Sequence, residues 1–377
     1  MWNIVDLFCG TSALSYGMAE KNRHFNVLGG VDLDTDAIET AKKNNKKGTF
    51  ICDDLSRLSV KEMHNALGGE KVDIVVGGPP CQGFSSLQPK RGTNFYDYRN
   101  RLYKLFIKNI EFLKPKVVLF ENVIGIINKP NISVVKDLVT SLESLGYKTD
   151  WRIMNAANYG IPQKRERFFL LAYLGTNAKI VFPSPTHIFD GNVIGTKFKE
   201  KYIENKFYGE KAITLREAIN DLPSLESGKF SKSYKSGPNN NYQIERRGDS
   251  SELTLHKATN HSQKMIEVIK NSGSNKSVLP PGMVSSGYSS SYSRLDWDSP
   301  CTTITVKFTS PASNKCIHPL DHRAITPREA ARIQGFDDNF IFAGSKTSIA
   351  GQLGNAVPPI FGKVFSNVIA NFLEIDS

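Results

Sequence analysis

Asn3-Ile4-Val5-Asp6-Leu7-Phe8-Cys9-Gly10-Thr11-Ser12-Ala13 is an apolar run closed by a turn of small residues that opens a helix. A second apolar run follows at 26–32, so the first unit reads strand, helix, strand. The same rhythm continues outward. Strands are expected at 3–8, 26–32, 50–53, 73–76, 117–121, 148–155 and 167–174. Helical periodicity fills 13–21, 36–45, 60–67, 100–113 and 132–145. This alternation predicts an α/β fold, a doubly wound, mostly parallel sheet with helices on both faces.

In such sheets ligands bind beyond the carboxyl ends of the strands. The second strand ends Val31-Asp32-Leu33-Asp34, and an acid there suits ribose hydroxyls. The third ends Cys52-Asp53-Asp54-Leu55, where an acid can accept from an adenine amino group. Helix capping by Asp32 or Asp54, and a plain tight turn at Gly10, are open alternatives. Ser12 and Ala13 stand where a pyrophosphate-binding GxGxxG loop would have its glycines. A nucleoside cofactor without a pyrophosphate is favoured, and S-adenosylmethionine fits. The fourth strand runs into Gly77-Gly78-Pro79-Pro80-Cys81-Gln82-Gly83-Phe84-Ser85. A thiol held between proline and glycine at a strand end is displayed as a nucleophile is.

At 377 residues the chain suggests two domains, or one with a large insertion. Its five cysteines are widely spaced without a CxxC pair, which argues against a disulfide framework or a metal site and for a reducing cytoplasm. No signal peptide and no membrane-spanning apolar segment are expected. The net charge of +11 allows a polyanion partner, although charge alone does not decide it. Between 182 and 292 the regular alternation gives way to turn-rich sequence with interleaved aromatic and basic residues. The expected domains are a catalytic and cofactor-binding unit at 1–185, a smaller, irregular recognition unit at 186–322, and a hinge with a C-terminal helix at 323–377. The apolar stripe of Ile360, Phe361, Val364, Phe365, Val368, Ile369, Phe372 and Leu373 should pack that helix onto the first unit.

Taken in order, these segments resemble the DNA (cytosine-5)-methyltransferases nearly end to end. Asp6-Leu7-Phe8-Cys9-Gly10 is similar to the family's cofactor loop, Gly78-Pro79-Pro80-Cys81-Gln82 to its catalytic loop, and Phe120-Glu121-Asn122-Val123 to its Glu-Asn-Val motif. Gln163-Lys164-Arg165-Glu166-Arg167 matches its Gln-x-Arg-x-Arg region. Arg294-Leu295-Asp296-Trp297 with Thr302-Thr303-Ile304-Thr305 resembles the segment supporting the recognition domain. Gln352-Leu353-Gly354-Asn355-Ala356-Val357-Pro358-Pro359 resembles the final motif.

The resemblance implies a thiolate of Cys81 adding to carbon 6 of a flipped-out cytosine, which makes carbon 5 nucleophilic. Glu121 would supply a proton at ring nitrogen 3, and Arg165 and Arg167 would approach the cytosine carbonyl, the thiolate region or a phosphate. It further implies S-adenosylmethionine contacts at Phe8, Gly10, Thr11, Asp32, Leu33, Asp54, Leu55, Gly78, Pro80, Leu102, Asn355 and Val357. Three departures stand out: Ser12 and Ala13 replace glycines common in the loop, Asp32 replaces a commoner glutamate, and Leu33 an aromatic residue. The implied partner is double-stranded DNA bound by a monomer, in a restriction–modification setting with a cognate endonuclease. A tRNA cytosine methyltransferase and a catalytically dead DNA-binding regulator are the rival readings.

Overall fold

In the computed structural model, residues 1–20, 22–80, 102–128, 131–175, 179–190, 198–203, 208–284 and 288–375 are described. Cys81 and the residues through Arg101 lie outside them.

The first half delivers the expected alternation. β1 (Trp2–Leu7), α1 (Ala13–Ala19), β2 (Phe25–Asp32), α2 (Thr35–Asn44), β3 (Thr49–Cys52), α3 (Val60–Ala66) and β4 (Ile74–Gly77) come first. α4 (Leu102–Leu113), β5 (Val117–Val123), α5 (Ile132–Ser144), β6 (Tyr147–Asn155), β7 (Gln163–Lys164) and β8 (Glu166–Leu174) follow. Short strands β9 (His187–Ile188), β10 (Tyr202–Ile203) and β11 (Glu210–Lys211) lead out of this region.

One sheet runs β10-β6-β8-β5-β4-β1-β2-β3. All neighbours pair in parallel except β8, which is antiparallel to both β5 and β6. The chain reverses its direction of growth between β1 and β4, the switch point at which doubly wound sheets open a crevice.

Alternate residues of each strand feed opposite faces. Ile4 and Val76 meet Leu14 and Met18 of α1, Ile38 of α2 and the last helix. Val5, Val75 and Phe120 meet Val60 and Met63 of α3, Phe106 of α4 and Leu138 of α5. Both faces are covered, so the strands read as near-continuous apolar runs.

The second half builds a separate core. α6 (Leu215–Ile219), α7 (Asn241–Arg247), α8 (Gln263–Lys270), β12 (Ser293–Arg294), β13 (Cys301–Thr302), β14 (Lys315–Ile317), α9 (Pro327–Ile333) and α10 (Lys346–Asn355) follow one another in this half. Leu215, Ile219, Ile304, Phe336, Phe340, Ile349 and Leu353 share one cluster, drawn from both sides of residue 322. α9 is buried on every side, so its charges must be paired. Arg332 contacts Asp338 at 2.6 Å and Asp221 at 3.2 Å, and Arg323 contacts Glu329 at 2.8 Å.

α11 (Pro359–Ile375) returns to the sheet as expected and crosses α1 closely. A Cβ on Gly17 would lie 1.9 Å from the Pro359 carbonyl oxygen, and one on Gly362 would lie 2.1 Å from that of Leu14. One expectation needs correction. Lys346–Glu374 is long and apolar enough, by length and composition, to cross a membrane. It comprises α10 and α11 with a break before Pro359, and Phe361, Phe365, Ile369 and Leu373 spend its apolar face on the protein's own core.

The crossing predicts that Gly17→Ala, a change that favours an open helix, lowers stability here by about 1–3 kcal/mol through overpacking. Thermal unfolding checks it, and an unchanged or higher midpoint contradicts the packing. Two histidines, His318 buried and His261 half-buried, predict acid sensitivity. His261 Nε2 accepts from the Ala324 amide at 3.1 Å, and His318 Nδ1 accepts from the Asp321 amide at 2.9 Å, so those nitrogens are unprotonated. Burial holds both imidazoles below the ordinary histidine value. Their contribution is therefore complete above pH about 6.5 and is lost as pH falls below it. The Asp6 carboxyl, raised by burial to about 7, pulls the opposite way over the same range. The measurement is thus a comparison: His318→Asn, whose amide oxygen replaces the Nδ1 acceptor, should flatten the acid limb of stability relative to the parent. Parallel pH profiles would contradict the assignment.

Candidate active site

The strand register decides what meets what. Val31 pairs with Leu7, Leu7 with Gly77, and Gly77 with Phe120. The next residue of each strand or loop is Asp32, Phe8, Gly78 and Glu121, so four of the sequence-expected residues line up along the carboxyl edge.

At one end of this row is the β1–α1 loop. Phe8 and Gly10 both adopt left-handed backbone, at φ 58° and 50°. The Gly10 amide donates to Asp32 Oδ2 at 2.8 Å, and Asp34 donates to Asp32 Oδ1 at 3.0 Å. Burial raises the Asp32 carboxyl above its ordinary range, and these amides oppose the shift. Each oxygen retains a lone pair for a hydroxyl. The loop amide that a phosphate would seek already faces a carboxylate, so the site fits a cofactor without phosphate. Leu33 beside it is 66 % exposed, an apolar side chain left open to a flat base. Asp54, with the Ser56 amide at 2.9 Å, is held below its ordinary value by that serine. Thr11, Leu55 and Leu102 are buried, whereas Pro80 and Asn355 are exposed and Val357 is half-buried.

At the other end is Glu121, buried near the end of β5. Because β8 is antiparallel, its amino-terminal end reaches this same edge. Arg167 pairs across from Val123, diagonal to Glu121, and its Nε lies 2.9 Å from Glu121 Oε1. Burial pushes the Glu121 carboxyl above its usual range even against the pull of Arg167 and Arg165. A carboxyl so poised can hold a proton and give it up at a reacting base. Gly78 lets the next loop approach: a Cβ there would lie 3.0 Å from Glu121 Oε2.

Arg165, two residues before Arg167, reaches main-chain groups of the second half. Its Nη1 donates to the Ile304 carbonyl at 3.1 Å, and its Nη2 donates to those of Gly354 and Ala356 at 3.1 and 2.9 Å. Nε has no partner among the described residues. The cation is almost wholly buried, and the carboxyl-terminal end of α10, where helix carbonyls concentrate negative charge, accommodates it. Gln163 works beside it: Nε2 donates to Gln334 Oε1 at 2.8 Å, and Oε1 accepts from the Ile304 amide at 2.8 Å. β7 pairs with β13 at the same junction. Together they tie the sheet to the second core and to the segment carrying Asn355 and Val357.

Asn122 was not singled out from sequence. Its Nδ2 donates to the Pro79 carbonyl at 3.0 Å, which anchors the chain just after β4. A buried polar residue in an apolar strand needs such a partner, and that was the available signal. The position of Cys81 itself lies outside the described residues. Among the described residues no group of histidine, cysteine, aspartate and glutamate could hold a metal ion.

Known proteins resemble this chain over nearly its whole length. The chain is 30% identical to the type II methyltransferase M.AgeI of Thalassovita gelatinovora, over 97% of this chain and 98% of that one. It is 31% identical to M.DdeI of Desulfomicrobium norvegicum, over 99% and 89%. A crystal structure of a candidate DNA modification methyltransferase encoded within an E. coli prophage superimposes with a TM-score of 0.77 at 25% identity, covering 99% of this chain and 100% of that one. The model of the C-5 cytosine-specific DNA methylases matches residues 2–371. The chain therefore belongs to that family, whose members transfer a methyl group from S-adenosylmethionine to carbon 5 of cytosine in DNA.

Proposed function

We propose that this enzyme is the modification methyltransferase of a type II restriction–modification system and that Cys81, Glu121 and Arg167 carry its chemistry. The observation that bears most weight is the single row of Asp32, Phe8, Gly78 and Glu121, with Arg167 delivered to it by the inverted strand β8. Bound S-adenosylmethionine supplies an electrophilic methyl group. Asp32 would take its ribose hydroxyls, Phe8 and Leu33 would flank its adenine, and Asp54 and Leu55 would border it. Gly10, Thr11, Gly78, Pro80, Leu102, Asn355 and Val357 complete the wall.

The cytosine leaves the duplex at a cost of a few kcal/mol and enters beside Pro80. The Cys81 thiolate forms a bond to carbon 6, electron density moves to carbon 5, and Glu121 delivers its proton to nitrogen 3. With the methyl group on carbon 5 and the demethylated thioether released, loss of the carbon-5 proton to water breaks the carbon–sulfur bond and returns the thiolate; nitrogen 3 returns its proton to Glu121. Arg167 orients Glu121 throughout. Arg165 fixes the junction around Ile304 and Gly354, with Nε left to meet a polar group of the reacting complex.

In this reading residues 1–185 form the catalytic and cofactor unit, 186–322 the recognition unit, and 323–377 the hinge and returning helix. The full-length similarity to M.AgeI and M.DdeI supports a duplex DNA substrate and a cognate endonuclease. The free Cys9, Cys52, Cys301 and Cys316 suit a reducing cytoplasm, and the enzyme acts as a monomer on a short site.

Labelled methyl transfer should appear on duplex DNA and not on tRNA, and Cys81→Ser should reduce it to background. Transfer to tRNA alone overturns the substrate, and no transfer to either supports the dead-regulator reading. Glu121→Gln keeps the shape but cannot deliver a proton, and should lower kcat by about 10²–10⁴-fold with little change in the cofactor KM. Unchanged kcat in single-turnover assays would contradict its role.

A further inference from the structure

Ser12 holds a backbone conformation that favours glycine. It sits at φ 59°, ψ 26°, immediately before α1, and its side chain caps no amide of that helix. Its amide donates to the Cys9 carbonyl at 2.7 Å, so its conformation sets the shape of the Phe8–Thr11 turn.

The hydroxyl of Ser12 is engaged elsewhere. Ser12 Oγ lies 2.5 Å from Ser15 Oγ, and Ser15 Oγ donates to Asp6 Oδ2 at 2.5 Å. Ser15 Oγ also lies 3.2 Å from the Ser12 carbonyl oxygen. All three side chains are buried. With Asp6 ionised the proton order is fixed, because a carboxylate only accepts: Ser15 donates to Asp6, and Ser12 donates to Ser15. When Asp6 carries a proton it can donate to Ser15, whose own proton then turns to the Ser12 carbonyl. Ser12 is held in both states.

We propose that Asp6 and Ser15 are positioning residues for the cofactor loop: the buried Ser12–Ser15–Asp6 chain holds a left-handed serine where glycine would need no support, and so shapes the turn for S-adenosylmethionine. The proposal rests on the reading of Phe8 to Thr11 as a cofactor wall. It makes no claim on the methyl-transfer step, so the effect belongs in cofactor affinity.

The decisive comparison is Ser12→Ala against Ser12→Gly, each measured by calorimetric titration with S-adenosylmethionine and by steady-state kinetics. Both remove the hydroxyl, but only alanine keeps the disfavoured φ. Ser12→Ala and Ser15→Ala should each raise Kd and KM for the cofactor about tenfold, as expected for breaking a buried hydrogen bond, with a far smaller change in kcat. Ser12→Gly should bind within about threefold of the parent and should restore affinity in the Ser15→Ala background. A merely structural role for Ser15 would not be rescued in this way. Equal Kd values for Ser12→Ala and Ser12→Gly, or failure of the rescue, overturn the proposal. Phe8→Ala separates the two layers. If it leaves Kd unchanged, the cofactor-wall reading fails; if it weakens binding while Ser12→Ala does not, only the relay fails.

Discussion

The register of three adjacent parallel strands is the constraint on which the site depends. Leu7, Gly77 and Phe120 are paired residues, so Phe8, Gly78 and Glu121 emerge side by side. A slip of one residue in β4 would turn Val75 and Val76 to the wrong faces of a sheet buried on both sides. Hydrophobic packing therefore fixes the relative positions of Phe8, Gly78 and Glu121 at one edge of the sheet. The glycines at the end of β4 are part of this. A Cβ on Gly77 would meet the Leu7 carbonyl oxygen at 2.6 Å, so only glycine lets the strand end there in register.

The inverted strand β8 adds what parallel strands cannot. Its amino-terminal end lies at the carboxyl edge of its neighbours and carries Arg167 there, with Gln163 and Arg165 just before it in the chain. Arg165 separates β7 from β8, and these side chains serve different tasks. Arg167 faces Glu121, whereas Arg165 and Gln163 bind main-chain groups of the second core. Removing a fully buried cation from water is costly, and three carbonyls at a helix end and a loop offset that cost. The expense is consistent with a junction that must hold one geometry.

Much of this was legible in the sequence, for identifiable reasons. Strands buried on both faces read as apolar runs, so β1 to β6 and β8 were placed within two residues at either end. The acids at strand ends stood out because apolar runs rarely finish in carboxylates without use. Interactions between distant segments were not legible. Arg165 meets Ile304 139 residues along the chain, and no local pattern links them. For the same reason the antiparallel sense of β8, the hold of Asn122 on Pro79 and the paired charges of α9 came only with the fold. The Lys346–Glu374 stretch illustrates the converse: composition alone cannot tell a core helix pair from a membrane span.

Cys81 as the attacking atom is the central claim, and a trapped adduct tests it most directly. In duplex DNA with 5-fluorocytosine replacing cytosine in one strand, carbon 5 keeps fluorine after methylation, and no proton can be lost to expel the thiolate. With S-adenosylmethionine present, the account predicts a denaturation-resistant protein–DNA complex whose peptide map places the cross-link on Cys81. An adduct on Cys9, Cys52, Cys301 or Cys316, or methyl transfer to normal DNA with no adduct on the fluorinated duplex, would contradict it.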